Sequence, residues 1–235
     1  MRGLYAIVDL DSLAQRGLDP LRFAKSLVAA RPAALQLRAK NERAENVIAL
    51  LKALRPLCTD GGVPLVANDR PDVALIAGAD MVHVGQTDAS PALIRTLAPK
   101  LAFGVSTHTP EQLNRALTAT PAYIAYGPVW ATRSKVAADP PVGVAGFKQA
   151  ARLIRLHANE TNYDPPLVAI GGITLERVMD IAAYASAVAV ISDLLPPPDL
   201  EGDYAYEHVR ARAEQYKHAL DDPARLARVS IADGA

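Results

Sequence analysis

The sequence has a single cysteine, no long hydrophobic run and no excess of either charge. Cys58 is the only cysteine among 235 residues, so no internal disulfide can form. Its position in an apolar helical segment indicates a packed thiol rather than a nucleophile. No apolar run reaches the roughly 20 residues of a membrane span, and the N-terminal run is too short for a signal peptide. Lysine plus arginine and aspartate plus glutamate number 25 each, which gives no basic surface for nucleic acid. These absences predict a cytoplasmic protein that binds neither nucleic acid nor a membrane.

Hydrophobic residues make up 50% of the chain, enough for a large core, and short apolar segments alternate with helical ones. Strands are predicted at residues 4–8, 33–37, 64–67, 81–84, 102–105, 123–126, 167–170 and 187–191. Near-continuous apolar strands are typical of a parallel sheet that is buried on both faces, and this number of βα units matches a (β/α)8 barrel. An open doubly wound sheet is the alternative, but it usually has fewer strands, and no GxGxxG follows the first strand.

The fold class is therefore predicted to be α/β, as a single (β/α)8 TIM barrel over residues 1–220 with a loosely ordered tail at 221–235. Helices are predicted at 12–31, 45–58, 72–77, 91–97, 110–117, 147–157, 175–184 and 206–220. Pro20 is expected in the first turn of its helix, where its missing N–H costs little.

The stretch from 65 to 88 contains two predicted strands that each end on polar residues, including a carboxylate. Asn68 and Asp69 follow the first, and Asp88 follows the second. Carboxylates at the carboxyl ends of neighbouring parallel strands can hold Mg²⁺, which takes oxygen ligands and often shares them with substrate phosphates. Alternatively, Asp69 and Asp88 are N-caps, because both precede helices. As a pair facing Arg38 and Lys40, they favour a metal site.

Three further groups lie along or after other strands: one on the second strand, one that combines Ser106 with the loop after the sixth strand, and one after the seventh and eighth strands. Gln36, Arg38 and Lys40 alternate along one strand, so they share a face that suits phosphate, with a solvated basic rim as the alternative. Ser106 ends the fifth strand. Hydroxyls and an ammonium that suit phosphate oxygens follow the sixth strand, in a loop that could also be merely exposed and mobile. The residues of that loop are Thr132, Ser134 and Lys135.

The last group is a glycine pair, Gly171 and Gly172, after the seventh strand and Ile191 with Ser192 after the eighth. Barrels frequently bind phosphate at this place through backbone N–H groups. The sequence thus predicts two anion sites, one metal-assisted and suited to a diphosphate, the other metal-free and suited to a monophosphate. His83, inside the fourth strand, is expected to be a hydrogen-bonded core histidine.

These motifs in this order resemble the thiamine-phosphate synthase family. The matching pieces are LYAIVD at 4–9, QLRAK at 36–40, NDR at 68–70, GADMVHVGQTD at 78–88, GVSTHT at 104–109, YIAYGPV at 123–129, TRSK at 132–135, IGGI at 170–173 and AVAVIS at 187–192. The resemblance implies an enzyme that joins 4-amino-2-methyl-5-hydroxymethylpyrimidine diphosphate to 4-methyl-5-(2-hydroxyethyl)thiazole phosphate by a dissociative, Mg²⁺-assisted displacement. The products would be thiamine phosphate and diphosphate.

The resemblance also implies a role for each site residue. Arg38, Lys40, Asn68 and Lys135 would hold the diphosphate, and Asp69 and Asp88 would bind Mg²⁺. Gln36 and Ser106 would face the pyrimidine, with Arg38, Ser106 and Lys135 as the catalytic residues. Thr132, Ser134, Gly172, Ile191 and Ser192 would hold the thiazole phosphate.

Two alternatives stay open at this stage. One is a thiazole tautomerase-like barrel, although Asp88 and Lys135, which that branch tends to lose, are retained here. The other is a non-catalytic phosphate-binding barrel. The chain departs from the family pattern at Trp130 and Arg133, where a Phe and a hydroxyl residue are usual. A homo-oligomer is compatible with the sequence.

Overall fold

The computed structural model describes residues 1–132 and 139–221, and eight parallel strands in it close into a barrel. Each strand pairs with the next in the sequence, and β1 also pairs with β8. The strands are β1 (Gly3–Asp9), β2 (Ala34–Arg38), β3 (Leu65–Asn68), β4 (Met81–Val84), β5 (Ala102–Thr107), β6 (Tyr123–Tyr126), β7 (Leu167–Ile170) and β8 (Ala187–Val190). The predicted (β/α)8 barrel is confirmed.

Helices lie between the strands and after the last one. They are α1 (Leu10–Ala14), α2 (Pro20–Ala29), α3 (Ala44–Gly61), α4 (Pro71–Ala77), α5 (Pro91–Leu97), α6 (Pro110–Thr118), α7 (Gly143–Thr161) and α8 (Gly202–Asp221), with short 3-10 helices at Val178–Asp180 and Ser192–Leu194. None of the helices in the described ranges is long and apolar enough to cross a membrane. From residue 222 onward, the predicted tail lies outside the described residues.

Alternation along the strands separates an outer core from an inner one. In β1, Ala6 and Val8 belong to the cluster that packs against the helices, whereas Tyr5 and Ile7 belong to the cluster inside the barrel. Successive side chains of a strand point to opposite faces, so the next inward position in β1 is Asp9. Inward residues at strand ends therefore face the mouth of the barrel.

The predicted helix at 12–31 is wrong, because the chain forms two helices there. Gly17 has a φ of +61° and lies between them. The Asp19 carboxylate accepts from the N–H of Arg22 and caps α2, which begins at Pro20. Proline at the first helical position loses no intrahelical bond, as the sequence suggested. α7 and α8 also extend beyond their predicted bounds at both ends.

The predicted helix at 175–184 is also wrong. Only Val178–Asp180 forms a 3-10 helix, and most backbone bonds around it join residues three apart. The N–H of Leu175 donates to the Asp193 carboxylate, and the Arg177 guanidinium donates to the carbonyl of Gly172. These contacts tie the start of the segment to the ends of β7 and β8, so tertiary bonds override its helical pattern.

Candidate active site

A cavity of about 840 Å³ opens at the carboxyl ends of the strands. Active sites of such barrels lie at this face. All the site residues predicted from the sequence that fall within the described ranges line it. They are Gln36, Arg38, Lys40, Asn68, Asp69, Asp88, Ser106, Thr132, Gly172, Ile191 and Ser192. Ser134 and Lys135, with the departure at Arg133, lie outside the described residues.

Asp69 and Asp88 meet at one end of this cavity. Nζ of Lys40 lies 2.7 Å from Oδ2 of Asp69. Burial is the largest cause that raises the pKa of Asp69; the Lys40 ammonium lowers it, and Asp88 raises it again by repulsion and by a hydrogen bond. Burial and the neighbouring Asp88 both disfavour the charged form of Asp69, and a cation bound beside the two carboxylates would favour that form. This end of the cavity can therefore accept a further cation.

The helix-cap alternative for these two carboxylates is wrong. The N-cap of α4 is Arg70, and Ser90 caps α5 with its hydroxyl. Asp69 has a φ of +64°, and its N–H donates to the carbonyl of His83 at 2.7 Å. Oδ2 of Asp88 accepts from the N–H of Gly85 at 2.7 Å. Both carboxylates are therefore held by the loops after their strands, where they face the cavity rather than a helix start.

The basic and amide groups of β2 are held by partners on both neighbouring strands. The Arg38 guanidinium donates to the carboxylate of Asp9, which is paired with it in the register of β1 and β2 and is 3% exposed. Nε2 of Gln36 donates to Oδ1 of Asn68 at 2.5 Å. Arginine has five N–H donors, so Arg38 keeps donors for an anion while Asp9 fixes its position.

Lys40 lies beyond the end of β2, so the predicted alternation places Gln36 and Arg38, but not Lys40, on one face of the strand. Its ammonium nevertheless reaches the cavity through its contact with Asp69.

Ser106 lies at the end of β5 and is 8% exposed. Its Oγ lies 2.8 Å from Nε2 of His83, and its carbonyl accepts from Nε2 of Gln86 at 2.6 Å. His83 is buried and hydrogen-bonded, as predicted. It nevertheless also lines the cavity.

The opposite end of the cavity is a narrow backbone turn at Gly171 and Gly172. Their φ angles are +92° and +64°. A Cβ at Gly172 would lie 2.7 Å from the carbonyl oxygen of Ala131, so a side chain there would strike the segment after β6. That segment is fixed to β7, because the N–H of Trp130 donates to the carbonyl of Gly171 at 3.0 Å. Glycine thus permits both the backbone conformation and the close approach.

The turn after β8 is clamped by α8. The Asp193 carboxylate accepts from the Tyr216 hydroxyl at 2.5 Å and forms an ion pair with Arg212 at 2.8 Å. It also accepts from the N–H of Leu175. Ser192 begins the 3-10 helix next to this carboxylate. These contacts fix the turn that carries Ser192, which lines the same cavity as the glycine turn.

The model of the family described as thiamine monophosphate synthase matches residues 4–194. The chain belongs to this family. The protein is therefore an enzyme of the transferase class. Membership in the thiamine monophosphate synthase family explains why the motifs occur in this order.

Relatives and solved structures agree with this membership. A thiamine-phosphate synthase of Koribacter versatilis is 44% identical over 206 residues, which cover 83% of this chain and 90% of the relative. One from Roseiflexus sp. is 38% identical over 224 residues, covering 94% and 88%. A solved thiamine phosphate pyrophosphorylase from Pyrococcus furiosus superposes with a TM-score of 0.77 at 24% identity, covering 95% and 96% of the two chains, and supports the fold.

Several residues at the mouth of this thiamine monophosphate synthase family barrel were not predicted from the sequence. Asp9 could have been found, because it is a carboxylate at the end of an apolar strand. Arg177 lines the cavity beside Gly172, with its guanidinium carbon 5.6 Å from the ring centre of Trp130. No sequence pattern marks Arg177, since the segment that carries it was predicted to be an ordinary helix. Asp193 directly follows Ser192, but its role depends on α8.

Proposed function

We propose that this enzyme joins 4-amino-2-methyl-5-hydroxymethylpyrimidine diphosphate to 4-methyl-5-(2-hydroxyethyl)thiazole phosphate, forming thiamine phosphate and diphosphate. The observation that carries the proposal is the contact between Asp69 and Asp88, with Lys40 beside them, at one end of a cavity whose other end is a glycine turn. A cavity with a cationic and metal-competent end and a separate backbone anion site suits one diphosphate and one monophosphate.

The diphosphate end fits Mg²⁺. This ion usually takes one or two carboxylates and completes its shell with waters and substrate phosphates. Within the described ranges, no group of three or more His, Cys, Asp or Glu side chains could hold a metal ion. Asp69 and Asp88 would therefore hold Mg²⁺ together with the diphosphate, rather than alone. When bound, the ion would supply positive charge to the departing diphosphate.

The side chains around this end have complementary tasks in the proposal. Arg38, fixed by Asp9, and Lys40 would bind phosphate oxygens, and their charge would stabilise the negative charge that develops as the diphosphate leaves. Asn68, held by Gln36, would contribute its amide. Lys135, outside the described residues, belongs to the same proposed set. Fixed cations are effective here because they need no reorganisation during the reaction.

At the other end, the turn at Gly172 and the residues Ile191 and Ser192 would bind the thiazole phosphate through backbone N–H groups, with Thr132 nearby and Ser134 proposed alongside. Binding both substrates in one cavity brings the thiazole nitrogen to the methylene carbon. The bond from that carbon to the diphosphate oxygen breaks, and the thiazole nitrogen then forms the new bond. Holding two reactants in this way replaces a bimolecular encounter by an intramolecular one.

The test is a coupling assay with both substrates and purified protein. The proposal expects thiamine phosphate and diphosphate in equal amounts with Mg²⁺, and no product in excess chelator. Full activity in chelator would refute the metal role, and no product under any condition would refute the transfer reaction. A thiazole tautomerase-like barrel or a non-catalytic barrel would give no thiamine phosphate, so the same assay distinguishes the proposed transferase from both alternatives. A cytoplasmic location remains a prediction from the composition.

A further inference from the structure

A continuous chain of hydrogen bonds runs through the inside of the barrel to the active-site serine. The hydroxyls of Tyr5 and Tyr123 lie 2.7 Å apart. The Tyr123 hydroxyl lies 2.9 Å from Nδ1 of His83, and Nε2 of His83 lies 2.8 Å from Oγ of Ser106. Tyr5 and Tyr123 belong to the inner core cluster, whereas Ser106 faces the cavity. The chain thus joins the inner core of the barrel to its catalytic mouth.

The fold fixes each of these side chains in place. Tyr123 is fully buried, and its ring is stacked on His83 with an interplanar angle of 12°. Gly104 lies opposite it on β5, where a Cβ would be 2.0 Å from the tyrosine ring. The absence of a side chain at Gly104 therefore makes room for the Tyr123 ring. Tyr5 is 1% exposed, and the centre of its ring lies 5.6 Å from the centre of the Tyr123 ring.

The number of protons on these side chains determines which group donates and which accepts at each of the hydrogen bonds. Burial raises the pKa of Tyr5 and of Tyr123 above the ordinary value, so both phenols keep their protons. Within residues 1–132 and 139–221, the Tyr5 hydroxyl has Tyr123 as its only hydrogen-bond partner. Both phenolic protons are used only if Tyr5 donates to Tyr123 and Tyr123 donates to Nδ1 of His83. A proton on Nδ1 would leave one buried phenolic O–H without an acceptor, which is unfavourable.

We propose that Tyr5, Tyr123 and His83 are positioning residues that hold the Ser106 hydroxyl as a hydrogen-bond donor to substrate. With Nδ1 of His83 accepting from Tyr123, the ring carries its proton on Nε2 and donates it to Oγ of Ser106. The serine proton cannot then go to His83 and points into the cavity. In the reverse direction, the Ser106 hydroxyl would donate its proton to Nε2 of His83. Ser106 could then only accept a hydrogen bond from substrate.

The direction determines which edge of a pyrimidine can face β5, and this consequence rests on the proposed function. The ring nitrogens of an aminopyrimidine accept hydrogen bonds, whereas its amino group donates them. A Ser106 hydroxyl with its proton free can donate to a ring nitrogen, which a hydroxyl that only accepts could not do. The buried interior chain would therefore set the orientation of the pyrimidine relative to the diphosphate end of the cavity.

The tautomer itself can be measured without any substrate. Nitrogen-15 labelling of the histidines and long-range proton–nitrogen correlation spectra separate the Nε2–H from the Nδ1–H form. His83→Asn identifies the His83 signals among the 5 histidines of the chain. We expect the Nε2–H form in the wild type and a mixture of tautomers in Tyr123→Phe. A wild-type Nδ1–H form would overturn the proposal.

Kinetics of hydroxyl deletions test the positioning role. Tyr123→Phe should lower kcat/KM for the pyrimidine diphosphate by roughly tenfold, as expected for a lost hydrogen bond, while KM for the thiazole phosphate stays unchanged. Tyr5→Phe should act in the same direction with a smaller effect, because the Tyr5 hydroxyl lies one hydrogen bond further from His83 than that of Tyr123. Tyr163→Phe is the control, since its hydroxyl donates to the Pro121 carbonyl and does not line the cavity.

The outcomes separate the two proposals. Wild-type kinetics in a folded Tyr123→Phe variant would refute the positioning role, as would equal losses for both substrates. If Tyr123→Phe does not fold, Tyr5→Phe takes its place. Wild-type kinetics and a wild-type tautomer in Tyr5→Phe would then refute the positioning role. If the wild type makes no thiamine phosphate, the proposed function fails, and the tautomer measurement still decides the direction of the chain.

Discussion

Nζ of Lys40 lies 2.7 Å from Oδ2 of Asp69, and the neighbouring Asp88 carboxylate raises the pKa of Asp69. The ammonium therefore compensates part of the negative charge of the two carboxylates. A diphosphate with its metal ion would compete for both partners, because the ion attracts the carboxylates and the phosphate oxygens attract the lysine. Lys40 can thus pass from a carboxylate to a phosphate without leaving the mouth of the barrel.

Replacing this lysine should weaken the diphosphate end selectively. We expect Lys40→Met to lower kcat/KM for the pyrimidine diphosphate by about 100-fold, as when one group that stabilises developing charge is lost. KM for the thiazole phosphate should stay within about twofold of the wild type, because the glycine turn is untouched. Steady-state kinetics with each substrate varied in turn measure this split.

The control is Lys52→Met, which removes an exposed lysine of α3 that does not line the cavity. It should retain wild-type constants. A similar rise of both KM values in Lys40→Met would contradict a role confined to the diphosphate.

The buried pair of Asp9 and Arg38 should make Asp9 important for stability as well as for activity. Asp9 is 3% exposed, caps α1 through the N–H of Ser12 and accepts from Arg38. Asp9→Ala should lower the free energy of unfolding by about 3 kcal/mol, because it leaves the largely buried guanidinium of Arg38 without its partner. Urea unfolding followed by circular dichroism measures this loss.

Two further variants isolate the ion pair. Ser12→Ala removes a hydroxyl that bonds the same carboxylate but keeps the pair, and should cost only about 1 kcal/mol. Asp9→Ala combined with Arg38→Met should be less destabilised than the sum of the single changes. Strict additivity would show that the pair contributes nothing.

The glycine turn allows a test that separates strain from steric contact. Gly172 and Gly17 have nearly equal φ angles of +64° and +61°. A Cβ at Gly172 would lie 2.7 Å from the Ala131 carbonyl oxygen, whereas a Cβ at Gly17 would have no atom of the described residues within 4 Å. Each alanine substitution should cost about 1 kcal/mol for the left-handed backbone. Only Gly172→Ala should also raise KM for the thiazole phosphate, by about tenfold or more.

The measurements are denaturant unfolding and steady-state kinetics on both variants. If Gly17→Ala raised KM for the thiazole phosphate as much as Gly172→Ala, the effect would come from general loosening of the barrel. The anion site at Gly172 would then lose its support.

Cys58 should be chemically inert in the folded protein. It is 1% exposed in α3, and burial, as the largest cause, raises its thiol pKa to about 11. Because the thiolate is the reactive form, only about one thiol in a thousand is ionised at pH 8. A thiol reagent should label the native protein slowly and the urea-unfolded protein at once. Rapid stoichiometric labelling of the native protein at pH 8 would contradict this packing.

The barrel could be predicted because each strand is a short apolar segment of its own. Leu65, Val66 and Ala67, for example, form β3 where their own apolar pattern predicts a strand. The meeting of Asp69 and Asp88 could also be predicted, since the carboxyl ends of parallel strands converge at one face. The segment at 175–184 could not, because its bonds to Asp193 and Gly172 arise only once β7 and β8 are in place.

Side-chain partners on different strands could not be predicted from a local pattern either. Arg38 was predicted at the mouth, but its partner Asp9 follows from the register of β1 and β2. The hydroxyls of Tyr5 and Tyr123 meet only because the closed barrel brings their inward faces together. His83 was correctly predicted as a hydrogen-bonded core residue, but its contact with Ser106 requires β4 and β5 in their observed pairing. Local patterns give residue types and faces, and tertiary register gives partners.

The most direct test of the central claim is thiamine phosphate formation by Asp88→Asn at saturating Mg²⁺. This change can keep the hydrogen bond from the Gly85 N–H and removes only the charge. Asp60→Asn is the matched control, since Asp60 is exposed near the end of α3 and does not line the cavity. We predict a fall in kcat/KM of about 100-fold for Asp88→Asn and none for Asp60→Asn. Wild-type turnover by Asp88→Asn would contradict the account.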